Sequence, residues 1–270
     1  MREDKSKEQI VEGVKELAKE VYTDLAKPIV KSIGSIVSLP FKAIDAALTP
    51  IKKWIDRRNA NYEETKALLA EKLKGVDESK IVEPEAYVAV PAMQQLSYSY
   101  SSEDLRIMYA NLLATSMVND TKWNVHPSFV DIIRQLSPAD AKAMNVLYTP
   151  DYLTVLKVVV LESETDVYND ILQNYSAELK DIYSDYIQLS SSLENLQRLG
   201  LINIDYNRIV KPDSEYEVYE NDEFINAIRE QYKDEKDIKV LFRKGLIELT
   251  DFGISFCKVC CNAIEEKTKE

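Results

Sequence analysis

Glycine, histidine and cysteine are scarce in this sequence, and each shortage argues against a class of functional site. Only six glycines occur in 270 residues, which disfavours a glycine-rich α/β fold with phosphate-binding loops. His126 is the only histidine, so one chain cannot build a multi-histidine metal site. The motifs of phosphate loops, dinucleotide-binding folds, serine hydrolases and zinc proteases are absent. We therefore expect a non-enzymatic protein without metal or cofactor.

The three cysteines, Cys257, Cys260 and Cys261, lie close together near the end of the sequence. Their spacing places them on one face of a helix, whereas a secreted disulfide framework spreads an even number along the chain. We interpret them as buried small apolar residues of a cytoplasmic protein. No signal peptide is visible, and no apolar run reaches the ~18 to 20 residues of a membrane span. The chain is expected to be soluble or peripheral at the inner face of a membrane.

Positive charge is scarce overall but is concentrated near the beginning of the chain. The formal net charge is −12, yet residues 1–60 carry twelve basic and nine acidic residues, leaving 22 basic and 37 acidic residues in 61–270. An acidic surface repels the phosphate backbone, so nucleic acid is a disfavoured partner for the larger part of the chain.

The segment from residue 28 to 58 combines short apolar pieces with six basic and two acidic residues, and three prolines punctuate it. This pattern fits a helical hairpin packed on the body with solvated lysines, and it also fits helices that lie on an anionic membrane surface. Under the second interpretation the residues in contact with the membrane or a partner are Lys42, Lys52, Lys53, Trp54, Arg57 and Arg58.

Helix-favouring composition and three-to-four-residue apolar spacing predict a mainly α protein. We divide it into an amphipathic helical N-terminal region (1–82), a central helical domain (83–149) and a C-terminal winged-helix-like α+β module (150–270). The strongest helix pattern covers residues 102–117, with acidic residues in its first turn. Residues 152–161 are compatible with helix or strand; we favour helix there, and a helical pattern continues over 166–186.

A helix over 193–199 that Gly200 ends, strands at 201–205 and 244–250 and a final helix from Asp251 resemble the winged-helix domains of bacterial regulators. Asn195 and Arg198 would lie on the helix that enters a DNA groove. From residue 150 onward, however, fourteen basic residues face 25 acidic ones, so dimerisation or protein recognition fits this module better.

Residues 125–140 contain the densest helix punctuation in the chain. Ser128 is expected to cap a short helix, and Ser137 with Pro138 is expected to open the next one. His126 precedes a proline at this corner, where a lone histidine is more often structural than catalytic. We expect the corner to set the angle between the central helices and the C-terminal module.

The stretches 105–117, 125–130 and 133–138 together resemble the signature of the abortive infection alpha family, a family of bacterial and prophage proteins. The likeness is dense over residues 80–150, extends over about 40–260 and is absent from the first helix. The family pattern is carried by five residues that we interpret as a folding signature: His126, Pro127, Phe129, Leu136 and Pro138. The resemblance implies a role in phage exclusion or defence and brings no catalytic residues.

These observations favour a phage-defence protein that acts through a protein partner, self-association or an anionic membrane surface. A winged-helix regulator that binds nucleic acid is the alternative, and a nuclease-like enzyme with carboxylates around a divalent ion is a third class.

Overall fold

The computed structural model describes residues 59–99, 102–162 and 167–261, with eight α-helices and four β-strands in those ranges. The helices are α1 (Asn59–Lys72), α2 (Ala86–Tyr98), α3 (Glu103–Ser116), α4 (Ser128–Arg134), α5 (Pro138–Leu147), α6 (Tyr186–Arg198), α7 (Glu223–Gln231) and α8 (Asp251–Cys260). The strands are β1 (Leu153–Glu162), β2 (Val167–Tyr175), β3 (Ile202–Asp205) and β4 (Ile238–Leu249). Short 3-10 helices occupy Glu78–Lys80, Lys122–Asn124, Lys180–Ile182 and Asp213–Tyr219.

Helix α3 lies at the centre of the helical part. The hydroxyl of Ser102 accepts the backbone N–H of Leu105 at 3.4 Å, and this cap fixes where the helix begins. Every residue from Met108 to Ser116 is buried, because α1, α2, α4, α5 and α8 all contact this helix. The helix predicted over 102–117 is confirmed.

The corner between α4 and α5 is fixed by a reciprocal pair of caps. Ser137 Oγ accepts the N–H of Asp140 at 3.1 Å, and the Asp140 carboxylate accepts the N–H of Ser137 at 2.8 Å, while Pro138 occupies the first helical position. The predicted start of α5 is confirmed. The predicted cap of α4 is wrong: α4 begins at Ser128 itself, whose N–H donates to Nδ1 of His126 at 3.2 Å.

The strands form one antiparallel sheet in the order β2-β1-β4-β3. The prediction of a mainly α protein is therefore wrong, since the chain has an α+β fold. A helical preference remains visible in the first part, but two of the strands come from stretches that we predicted to be helical.

Residues 152–161 are the first of these stretches. β1 pairs with β4 from Leu153 opposite Ile247 to Glu162 opposite Ile238, and most of its residues are buried. Its run of valines suits a strand that is covered on both faces, because β-branched side chains lose less conformational freedom there than in a helix. One partner strand, β4, lies more than 70 residues further along the chain, and the other, β2, lies in a stretch that we also predicted to be helical, so neither partner was recognised.

Residues 166–186 are the second stretch, and a single helix there is also wrong. β2 occupies 167–175 at the edge of the sheet, a 3-10 turn follows at 180–182, and α6 begins at Tyr186. The side chain of Asp185 accepts the N–H of Gln188 at 2.8 Å, which caps α6 and separates it from the preceding turn.

The connection from α6 to β3 is confirmed in detail. Gly200 has φ +74°, and the N–H of Leu201 donates to the carbonyl of Leu196 at 3.0 Å, a glycine-dependent helix ending. β3 then pairs with the end of β4, with Ile202 opposite Leu249. The strands predicted at 201–205 and 244–250 are confirmed, while the winged-helix identity of this region stays a prediction.

Buried apolar residues form one continuous core that runs from α1 through the sheet to α8. Phe129 of α4 packs against Phe256 of α8, with ring centroids 5.3 Å apart. The division into three domains stays a prediction, and this core links the central helices to the C-terminal residues.

Candidate functional site

A surface cavity of about 150 Å³ lies where β2 ends and where α6 and α7 begin. Both helices start with an aspartate cap: Asp185 caps α6 and Asp222 caps α7. The two N-termini are brought together at one side of the sheet because β2 and the 3-10 turn after it lead directly into α6. The residues that line the cavity are Tyr175, Lys180, Tyr183, Ser184, Asp185, Tyr186, Leu189 and Phe224.

Asp222 is the buried charge at this site, with 1% of its side chain exposed. Its carboxylate accepts the N–H groups of Phe224 and Ile225, both at 3.1 Å, the hydroxyl of Tyr175 at 2.9 and 3.0 Å and the ammonium of Lys180 at 2.8 Å. Burial alone would raise the pKa of Asp222, but these donors outweigh it and the pKa is lowered. The carboxylate is thus held ionised.

Aromatic side chains form the walls of the cavity. Tyr186 stacks on Phe224 with centroids 4.2 Å apart, and Tyr175 packs against the same phenylalanine at 5.3 Å. Tyr186 is 40% exposed, so these walls reach the surface. The interior is suited to an apolar or aromatic group.

Acidic residues lie at the cavity and beside it. Asp185 lines it, Asp181 and Glu223 lie near Lys180, and all three are exposed. The pKa of Lys180 is raised, first by its hydrogen bond to Asp222 and also by the charges of Asp181 and Glu223. Since Lys180 is paired with Asp222, the remaining charge at the mouth is negative.

A second polar cluster lies behind the cavity and joins α5 to α6. Oδ1 of Asp140 accepts the hydroxyl of Ser192, and the Tyr183 hydroxyl donates to Ser192 Oγ at 2.6 Å and lies 3.3 Å from the same carboxylate oxygen. All three residues are buried. Burial raises the pKa of Tyr183, and Asp140 acts in the same direction, so the phenol stays protonated as a donor. The cluster positions helices, and Tyr183 is its member at the cavity wall.

His126 lies at the corner as a structural cap. Its Nδ1 accepts the N–H of Ser128 and lies 2.6 Å from the Ser128 hydroxyl. The imidazole meets the ring of Phe252 edge-on at 5.7 Å and that of Phe129 at 5.8 Å. It therefore connects α4 with α8, which supports the structural interpretation of this residue.

The other members of the signature lie in the core or at helix starts. Phe129 and Leu136 are buried, Pro127 occupies the cap position of α4 and Pro138 opens α5. All five signature residues thus belong to the corner or to the core beneath it, and none of them lines the cavity.

The cysteines are buried at 257 and 260 and partly buried at 261. The pKa of the Cys260 thiol is raised well above its ordinary value by burial, so it is a poor nucleophile. Across 59–99, 102–162 and 167–261, no group of three or more His, Cys, Asp or Glu residues could hold a metal ion.

Arg198 and Asn195, the two residues considered for DNA contact, are engaged with the protein itself. The Arg198 guanidinium donates to Oδ1 of Asn195 at 2.7 Å and to the side chain of Gln135 at 3.0 Å. Asn195 in turn donates to the Gln135 carbonyl at 3.2 Å. These bonds tie α6 to the end of α4.

The residues predicted to contact a membrane or partner, Lys42, Lys52, Lys53, Trp54, Arg57 and Arg58, lie outside the described residues. Among the helices of the described part, none has the length and apolar character required to cross a membrane.

The sequence did not reveal the cavity. Six of its eight lining residues come from the stretch 166–186 that we predicted to be one helix, and the other two, Leu189 and Phe224, lie near the starts of α6 and α7. The available signal was the pair of aspartates at 185 and 222, each followed by helical apolar spacing, which is the usual pattern of a capped helix start.

Comparison with known proteins gives one structural likeness and one family. The structure of the uncharacterized protein from the hydrocarbon-degrading marine bacterium Alcanivorax borkumensis SK2 matches 53% of this chain and 96% of that chain, with 13% identity and a TM-score of 0.33. No curated protein matches the chain. The model of the family described as abortive infection alpha matches residues 57–260, about three quarters of the sequence. The chain therefore belongs to the abortive infection alpha family.

Proposed function

We propose that this chain is a phage-defence protein of the abortive-infection type that acts by interaction rather than by catalysis. The observation that carries the proposal is the family match over residues 57–260. Membership of this family supports an abortive-infection-type role, and the mode of action is our inference from the residues.

Support for a non-enzymatic mode comes from how the buried polar groups are used. Asp222 caps α7 and pairs with Lys180, and Asp140 caps α5 and holds Ser192 and Tyr183. Each buried carboxylate thus has a structural task. A catalytic acid or base needs access to a substrate proton, and Asp140 itself is buried.

In this proposal the basic segment 28–58 contacts a protein partner or the inner face of the membrane, and the protein is cytoplasmic or peripheral. The segment carries six basic and two acidic residues within an acidic chain, which favours anionic surfaces by about 1 kcal/mol per basic residue near the surface. Self-association is a further mode that the acidic C-terminal part could serve.

Liposome co-sedimentation tests the membrane contact. The intact chain should sediment with vesicles that contain phosphatidylserine and should stay in solution with neutral vesicles. A variant with Lys42, Lys52, Lys53 and Arg57 changed to glutamate should lose this binding. If the intact chain and the variant both stay in solution at low salt, the proposed membrane contact is wrong, and contact with a protein partner is the remaining proposal.

Phage plating on bacteria that express the chain tests the defence role. We expect fewer plaques than on cells that carry an empty vector, and the same charge-reversed variant should restore plating. Plating that is equal with and without the chain over a broad phage panel would contradict the proposal.

Nucleic-acid binding by the region around α6 is the alternative, and it has less support because Arg198 and Asn195 bond to the protein. Salt-dependent binding to duplex DNA that is lost on changing Arg198 to alanine would favour this alternative.

A further inference from the structure

The cavity between the starts of α6 and α7 combines a wall that suits an apolar group with a rim that suits cations. Tyr186 and Phe224 stack at its side, and its volume of about 150 Å³ admits one large side chain. Ile187, beside Tyr186, is 64% exposed. The apolar surface therefore continues out of the cavity along the first turn of α6.

The rim selects the charge of what binds there. Lys180 is neutralised by Asp222 at 2.8 Å. The remaining acidic residues are Asp185, which lines the cavity, and Asp181 and Glu223, which are exposed and lie near Lys180. A ligand that fits both features carries an apolar or aromatic anchor flanked by basic groups.

The chain itself contains such a ligand. Residues 51–58 read Ile-Lys-Lys-Trp-Ile-Asp-Arg-Arg, with four basic residues and one acidic residue around a tryptophan. The residues from 150 onward carry fourteen basic and 25 acidic residues, so the two parts of the chain are complementary in charge.

We propose that this cavity is a docking site for the chain's own basic segment, with Trp54 or a neighbouring isoleucine as the anchor and the flanking Lys and Arg residues facing the rim. Lys52, Lys53 and Arg57 cannot face the rim and a lipid surface together. Docking and membrane contact therefore exclude each other, but docking requires no lipid and does not depend on the proposed function.

Tryptophan fluorescence tests the docking in the intact chain. The sequence has two tryptophans, Trp54 and Trp123, and Trp123 is 79% exposed, so Trp123→Phe leaves Trp54 as the sole reporter at little cost in stability. In lipid-free buffer we expect blue-shifted emission and weak quenching by acrylamide. High salt should raise the quenching, since the contact includes exposed charges.

Two variants in the Trp123→Phe background address the two features of the site. Asp181→Lys with Glu223→Lys reverses the rim, and Ser184→Phe fills the mouth, where the Ser184 hydroxyl bonds only to the exposed Gln188 side chain. Each should raise the acrylamide quenching of Trp54 severalfold. The matched control, Glu71→Lys with Glu194→Lys, makes the same charge change at exposed positions on α1 and in the third turn of α6 and should leave quenching low.

Circular dichroism establishes that each variant is folded before quenching is compared. Strong quenching of Trp54 in the parent, or weak quenching that neither cavity variant alters, would overturn the proposal. Protection that disappears on dilution would also overturn docking within one chain, because it would assign the contact to a second copy.

Discussion

At Asp222 a single carboxylate serves as a helix cap, an ion-pair partner and the acceptor for a buried phenol. Its side chain is almost fully buried, and an unpaired charge there would be costly. The two backbone N–H groups of α7, the Tyr175 hydroxyl and the Lys180 ammonium compensate that cost together. The local structure around the cavity thus depends on this residue, because it joins β2, the 3-10 turn and the start of α7.

We expect Asp222→Ala to lower the free energy of unfolding by roughly 3 kcal/mol, since it removes a cap and leaves Tyr175 and Lys180 without their shared acceptor. Asp222→Asn keeps one acceptor oxygen and should cost less. Urea unfolding at neutral pH measures both. The control is Asp181→Ala, which changes an exposed acidic residue nearby. Equal losses of stability in Asp181→Ala and Asp222→Ala would contradict the structural role of the buried Asp222 carboxylate.

The pH dependence follows from the sign of the shift at Asp222. Its pKa in the folded state is lowered, so its ionised form contributes stability above the unfolded pKa of about 4 and loses that contribution as the pH falls through the lowered folded-state value. The difference in unfolding free energy between the parent and Asp222→Asn should therefore shrink from pH 7 to pH 3. A difference that grows on acidification would show that the carboxylate is not stabilised by its donors.

His126 offers a residue-scale test of the corner. His126→Ala removes the acceptor of the Ser128 N–H and two aromatic contacts, which should lower stability by about 1 to 2 kcal/mol. Ser128→Ala, which keeps the backbone cap, should cost less. Thermal unfolding together with phage plating separates structure from activity: an unchanged melting temperature with complete loss of defence would make the histidine functional.

Among the elements, local signals predicted the helices and failed at the long strands. Caps at Ser102 and Ser137 and the glycine at 200 determine helix ends through neighbours in the sequence, so they are readable without the fold. β1 is stabilised by pairing with β4, which lies far along the chain, and with β2, whose own sequence we predicted to be helical. Tertiary pairing of this kind overrides local propensity. The cavity was missed for the same reason, because β2, which we predicted to be helical, forms one of its sides.

Gly253 determines how closely α8 approaches the end of α6. A Cβ at this position would lie 1.9 Å from the carbonyl oxygen of Leu201, and this backbone atom cannot move aside like a flexible side chain. Gly253→Ala should lower the free energy of unfolding by about 1 to 3 kcal/mol, although alanine favours helix. Ser255→Ala, at an exposed position of the same helix, should be nearly neutral in the same chemical denaturation experiment.

Over the whole molecule, charge differs between the beginning of the chain and the rest, whereas the apolar core is continuous. Basic residues are concentrated at the beginning and acidic residues dominate the rest, a contrast that is visible in the sequence and underlies the proposed docking. The apolar core shows no matching division, because it passes from α1 to α8 without interruption. The charge asymmetry can be read from composition. The continuous core depends on contacts between distant segments, so it could be recognised only in the structure.

A continuous core predicts that the described part unfolds as one cooperative unit rather than as separate helical and sheet domains. Native-state hydrogen exchange at increasing urea measures this directly. The amides of α3 and of β1 should converge on the same free energy of opening, since Asn111 of α3 bonds to the carbonyls at the end of α8 and α8 packs on β4. Exchange of β1 at a clearly lower urea concentration than α3 would instead establish a domain boundary near residue 150.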